Sequence, residues 1–188
     1  MHAIIAFFVG VGLAATCGFR VFVPLLGLSI ANHVGFLPLS HGFEWIGSWP
    51  AIITFGVATA FEIGAYYIPW LDHLLDLIAT PAAVAAGTIV TASMLGEMSP
   101  FLRWPLGVIA GGGAAGAVQG ASIFVRGAST ATTGGVGNPV VSTGELVASI
   151  VGTILSIVLP ILAFILVVAL MVFIFRRLFR RQGRAAGS

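Results

Sequence analysis

Five apolar stretches, each long enough to cross or nearly cross roughly 30 Å of hydrocarbon, take up most of this chain. They run from Ala3 to Leu37, Trp49 to Ile68, Pro81 to Met98, Pro105 to Val125 and Glu145 to Phe175. A spanning helix needs about 20 apolar residues, and the range extends down to about 17. Because unpaired backbone is not tolerated against lipid, such runs point to an all-α fold, a polytopic transmembrane helical bundle of about five to six membrane segments. Bulk composition agrees: 59% of the 188 residues are hydrophobic and 7% are charged, with a mean hydropathy of +1.11. Trp45, Trp49, Trp70 and Trp104 fall at the proposed boundaries, where interfacial anchors belong.

The first stretch is too long for one straight span and short for two. At about 1.5 Å per residue it would extend roughly 50 Å, and Cys17-Gly18 and Pro24 interrupt it. Either a broken first helix or a short helical hairpin is expected. Discontinuous helices at membrane depth need protein or a water-filled cavity to satisfy their freed backbone groups, so the break should face inward. Arg20 stands at that break, and its guanidinium cannot lose its charge. Elsewhere Thr80-Pro81 reads as an N-cap with proline at the first helical position, and Ser142 with Glu145 reads as a capping box.

The basic residues are eight arginines, and five of them (Arg176, Arg177, Arg180, Arg181 and Arg184) crowd the C-terminus. This divides the chain into a single transmembrane domain, 1–175, and a basic cytoplasmic tail, 176–188, and it speaks for anionic lipid rather than nucleic acid. The N-terminal run lacks the basic flank of a secretory signal, and residues 1–20 are read as mature protein. Counting spans back from a cytoplasmic tail puts the 126–144 loop and the acids Asp72, Asp76 and Glu145 on the extracytoplasmic side. The location expected is the cytoplasmic (inner) membrane of a bacterium.

Acids are so few that each is a candidate. Glu62 lies within a span, where a carboxylate is costly and is kept for pairing or transport. Asp72 and Asp76 share one face of a short helix at i and i+4, beside His73, and could hold a proton or a monovalent or divalent cation. An interfacial helix with acids near its N-terminus explains them equally. The loop "RGASTATTGGVGNPVVSTGE" (126–145) reads either as a flexible connection or as a re-entrant segment whose carbonyls, hydroxyls and Asn138 amide line a pathway. Gly112, Gly116 and Gly120 repeat every four residues, a face for close helix packing or for homo-oligomer contact. Cys17 is the sole cysteine, which rules out an internal disulfide. Patterns for zinc, acyl or nucleotide chemistry are missing, so the chain reads as a non-enzyme more readily than as an enzyme.

On "GFRVFVP" (Gly18–Pro24), Glu62 with "IPWLDHLLD" (Ile68–Asp76) and "NPVVSTGE" (Asn138–Glu145), followed by a long apolar helix and a basic tail, the sequence resembles a bacterial integral-membrane family known as domain of unknown function 4126. The resemblance covers about residues 8–180 and implies a grouping of residues, with no activity attached. "AYY" at 65–67 departs from it, where many relatives are expected to carry a charge. The expected function is a small membrane transporter or channel, cation- or proton-linked and open to the extracytoplasmic side, taking a small ion or solute and no fixed cofactor. Arg20, Glu62, Asp72, Asp76, Asn138 and Glu145 form the expected site, with Arg20 paired to Glu62 or a neighbouring acid. The rival readings are an accessory subunit whose charges only lock helices, and an intramembrane enzyme holding a metal between Asp72 and Asp76.

Overall fold

A computed structural model of the chain describes residues 3–66 and 69–185, with side chains except at 69–77, 175 and 177–185. All regular structure among the described residues is helical: α1 (Ala3–Cys17), α2 (Phe22–His33), α3 (Trp49–Ala65), α4 (Pro69–Met94), α5 (Pro100–Thr133), α6 (Asn138–Val158) and α7 (Pro160–Ala185), with a 3-10 turn at Glu44–Gly47. Among the described residues two of these, α5 and α6, are long and apolar enough to cross a membrane; the apolar segments Ala3–Cys17, Phe22–His33, Trp49–Ala65, Ile78–Met94 and Pro160–Ile174 are shorter.

The first apolar stretch breaks at residues 18–21, where Gly18 predicts, while Pro24 sits within the first turn of α2 and interrupts nothing; the two halves form a hairpin. Ala3 and Ala6 line one cavity of about 250 Å3 with Pro38, Leu39 and Ser40, so α2 brings the chain back to the end from which α1 left. At about 1.5 Å per residue, α1 and α2 extend only about 22 and 18 Å, and the turn between them stops inside the bundle. Antiparallel neighbours hold the hairpin. Thr91 on α4 donates to Gly10 O at 3.1 Å, His33 at the end of α2 meets Gly47 O at 2.8 Å, and Ser149 on α6 donates to Thr16 O at 3.4 Å.

Three expectations change here. The capping box is absent, because Pro139 starts α6 at Asn138 and carries Ser142 and Glu145 into the helix interior. Thr80-Pro81 likewise caps nothing, since Pro81 lies inside α4. The 126–144 loop is mostly helix: α5 continues to Thr133, and only 134–137 turn the chain. Gly134 (φ 63°) and Gly135 (φ 92°) supply the left-handed backbone that closes this turn. A Gly134→Ala change should cost about 1 kcal/mol in thermal unfolding, the penalty of a Cβ in that region.

The stretch Glu145–Phe175 also proves to be parts of two helices. Leu159 departs from helical geometry (φ −131°, ψ 65°), and Pro160 begins α7. Leu166 and Leu170 of α7 then line one groove with Gly152 and Ala148 of α6 and Phe19 of the α1–α2 turn, so α7 returns toward the end where α6 began. The C-terminal arginines therefore lie at the same end as the 134–137 turn, and their backbone continues α7 to Ala185. The extracytoplasmic placement of Glu145 rested on one span between it and the tail. Two helices, α6 and α7, occupy that interval, and α7 runs back along α6, so Glu145 and the start of the tail lie toward the same end of this pair.

On α6 burial is inverted relative to a helix of a water-soluble domain. On α6 the buried face is Ser142, Glu145, Ser149, Thr153 and Ser156, whereas Val140, Val147, Val151, Ile154 and Val158 are exposed. Ile53, Val57 and Phe61 on α3 and Val108, Ile109 and Phe124 on α5 extend the exposed apolar surface.

Close packing of α5 on α4 uses glycine, though at positions shifted from those the four-residue repeat suggests. One π-helical segment, Gly107–Gly112, interrupts α5, and its wider turn brings Gly107, Gly111, Gly112 and Gly116 against Val84, Gly87, Thr88 and Thr91 of α4. Gly112 and Gly116 are thus occupied within the chain, and of the three expected positions only Gly120 faces open space.

Candidate functional site

The turn between α1 and α2 carries the site. Gly18 brings it onto α5: a Cβ there would lie 2.5 Å from Ala115 O and 2.6 Å from Val118 Cβ. The last turn of α1 tightens, with Gly18 N–H donating to Ala15 O at 3.1 Å and Arg20 N–H to Thr16 O at 3.2 Å. Arg20 is thereby fixed in the interior, only 2% exposed.

Of the acids expected near it, Arg20 meets Glu145 rather than Glu62. Arg20 Nη2 donates to the backbone oxygen of Ser142 at 2.8 Å and lies 3.9 Å from Glu145 Oε2, while the guanidinium sits over the Tyr66 ring, Cζ to centroid 3.7 Å. Glu62 forms no ion pair with it among the described residues. Instead Glu62 accepts Val21 N–H on Oε1 at 2.7 Å and Phe22 N–H on Oε2 at 3.0 Å. It thereby serves as the N-cap that α2 lacks in its own sequence, where Val21 offers no side-chain acceptor.

Glu145 is held mainly by Arg126, a residue the loop reading left out of the site. Arg126 Nε donates to Oε1 at 3.1 Å, Arg126 Nη2 pairs with Oε2, and Ser122 Oγ, one helical turn back on α5, also donates to Oε1. Arg126 Cζ lies 4.2 Å from the centroid of the same Tyr66 ring. Two guanidiniums thus meet one carboxylate and one aromatic ring, all buried. Attraction to the ring quadrupole and to Glu145 offsets part of the cost of holding both cations in the interior. Arg20 Nε and Nη1 and Ser142 Oγ have no hydrogen-bond partner among the described residues.

Of the six expected residues, Arg20, Glu62 and Glu145 come together. Asn138 does not: it bonds Thr130 Oγ1 at 3.1 Å and closes the α5–α6 turn, about 10 Å along α6 from Glu145. Asp72 and Asp76 lie on α4, outside the described side chains. Among the described residues, no group of three His, Cys, Asp or Glu could hold a metal ion. Tyr66, Ser122 and Arg126 are the additions. The Ser122–Arg126 spacing of four was a usable signal once residues 126–133 are taken as helix.

The family model described as "Domain of unknown function (DUF4126)" matches residues 7–180. The chain belongs to that family. No curated protein and no solved structure matches it. The DUF4126 segment contains the whole cluster, from Arg20 through Glu62, Tyr66 and Arg126 to Glu145, together with the glycine contact between α4 and α5.

Proposed function

We propose that this DUF4126 chain is a small polytopic protein of a cytoplasmic membrane that passes a small ion or solute through a site at the α1–α2 turn. The observation that carries the reading is Arg20: a fully charged side chain at the tip of a re-entrant hairpin, buried, with Nε and Nη1 unmatched among the described residues. Intramembrane charges that are expensive to keep mark solute pathways, and broken helices gather at such sites. The inverted burial of α6 and the exposed apolar side chains of α3 and α5 support lipid as the surroundings. With the arginine tail cytoplasmic, the cluster lies in the cytoplasmic half.

A cation or proton role would rest on Asp72 and Asp76. The described part of the site sets two guanidiniums against the carboxylates of Glu145 and Glu62, so a solute anion would take the place of one of these carboxylates. The close Arg126–Glu145–Ser122 contact favours a second reading, an accessory subunit in which these charges lock α5 to α6. A flux screen in proteoliposomes over monovalent cations, protons and small anions separates the two. We expect flux of at least one species, reduced by about tenfold or more in Arg20→Gln, as for a lost buried polar contact, while the variant still elutes as a folded species. Absence of flux for every species in the wild type would support the accessory-subunit reading.

A further inference from the structure

Glu62 is a buried acid whose partner is backbone. The α1–α2 break leaves the first N–H groups of α2 pointing into the interior, and such groups at a helix N-terminus bind anions. Both oxygens of the Glu62 carboxylate are engaged, one on Val21 N–H and one on Phe22 N–H, at 2.7 and 3.0 Å. In this arrangement α3 delivers a tethered carboxylate to a backbone anion site.

A second observation points to a ligand at the same place. Arg20 immediately precedes those two N–H groups in the chain, is only 2% exposed, and keeps Nε and Nη1 without an acceptor among the described residues. Its guanidinium rests on Tyr66, which follows Glu62 by four residues and so shares its face of α3. Ser142 Oγ, also buried and unmatched among the described residues, belongs to the residue whose backbone oxygen Arg20 Nη2 holds. Native proteins rarely leave buried donors unmet, so the excess of donors around this turn calls for an acceptor.

We propose that the α1–α2 turn is a binding site for a small monovalent anion, with Val21 N–H, Phe22 N–H and Arg20 Nε and Nη1 as donors, and that Glu62 occupies its backbone half as a tethered competitor. The proposal rests on the reading of this cluster as the solute site and names the class of solute. Exchange of the Glu62 carboxylate for another monoanion leaves the charge of the turn unchanged, whereas a dianion adds one uncompensated charge in the interior. The site therefore selects by charge as well as by size, and it binds only when Glu62 withdraws.

Equilibrium binding tests this without transport. Purified full-length wild type, Glu62→Ala and Glu62→Gln are titrated with sodium formate, sodium chloride and sodium sulfate at matched ionic strength, reading the unfolding temperature, which rises with occupancy of a native-state site. Formate or chloride should raise the unfolding temperature of Glu62→Ala saturably, with an apparent Kd at least about tenfold lower than in wild type, and sulfate should not. Glu62→Gln retains one carbonyl acceptor for the N–H pair and keeps the measurement available if the alanine variant does not fold; it too should respond more strongly than wild type. Adding Arg20→Gln should remove the response. Equal responses to all three salts, or the same formate and chloride response in wild type and both Glu62 variants, would overturn the proposal. Because no membrane gradient is involved, a null result here leaves the flux measurement intact, and a null flux result leaves this one intact.

Discussion

Glu145→Gln is expected to lower the stability of the protein by about 3–5 kcal/mol, the usual consequence of removing one partner of a buried ion pair. Glu145 receives Arg126 through two nitrogens and Ser122 through its hydroxyl, and it is the acid 3.9 Å from Arg20. Neutralising it leaves two guanidiniums over one tyrosine ring without the carboxylate between them. Arg126→Met should also be severe, because it strands Glu145 away from water. The double variant Arg126→Met, Glu145→Leu should cost less than the two single changes together, since neither charge is then left unpaired. Unfolding curves for the four proteins in one detergent provide the cycle, and strict additivity would rule out the coupling.

Gly111→Val should be the most damaging change in the contact between α4 and α5. A Cβ at Gly111 would meet Thr91 Oγ1 and the backbone oxygen of Gly87, and Thr91 is itself bonded to Gly10 O on α1. Three helices therefore converge where no side chain fits, and relief requires backbone movement. Overpacking of this kind costs about 1–3 kcal/mol, with the upper end expected because backbone must shift. Gly120→Val, where a Cβ meets nothing within 4 Å, should stay within about 0.5 kcal/mol. If Gly120→Val proves as damaging as Gly111→Val, that face is covered by another copy of the chain.

Much of the architecture was legible in the residues. The break at Gly18, the helical class, and the grouping of Arg20, Glu62 and Glu145 all follow from the scarcity of charge in long apolar runs. Two errors share one cause, the ambiguity of local motifs. Ser142-x-x-Glu145 has the form of a capping box, yet Pro139 starts the helix earlier and frees Glu145 to face Arg126. Residues 126–133, rich in glycine, serine and threonine, look like loop by composition and are the final turns of α5. That misreading removed Arg126 from view, and with it the partner of Glu145. The fold at Leu159–Pro160 was visible only as a proline in a long run, which a kinked single helix explains as well as a reversal does.

What the sequence by itself determined is where polarity cannot be avoided: Arg20 always carries charge, Gly18 follows the end of its helix, and so few acids exist that Arg20 must seek one of them or a backbone carbonyl. Tertiary structure decided which. Glu62 and Glu145 are both within the bundle, but only the packing of α3 against the start of α2 gives Glu62 to the N–H groups of Val21 and Phe22, and only the meeting of α5 with α6 gives Glu145 to Arg126. The physical reason is that a buried charge is satisfied by whichever donor or acceptor the helix contacts bring within about 3 Å, and contacts between segments far apart in the chain leave no local trace in the residues that make them.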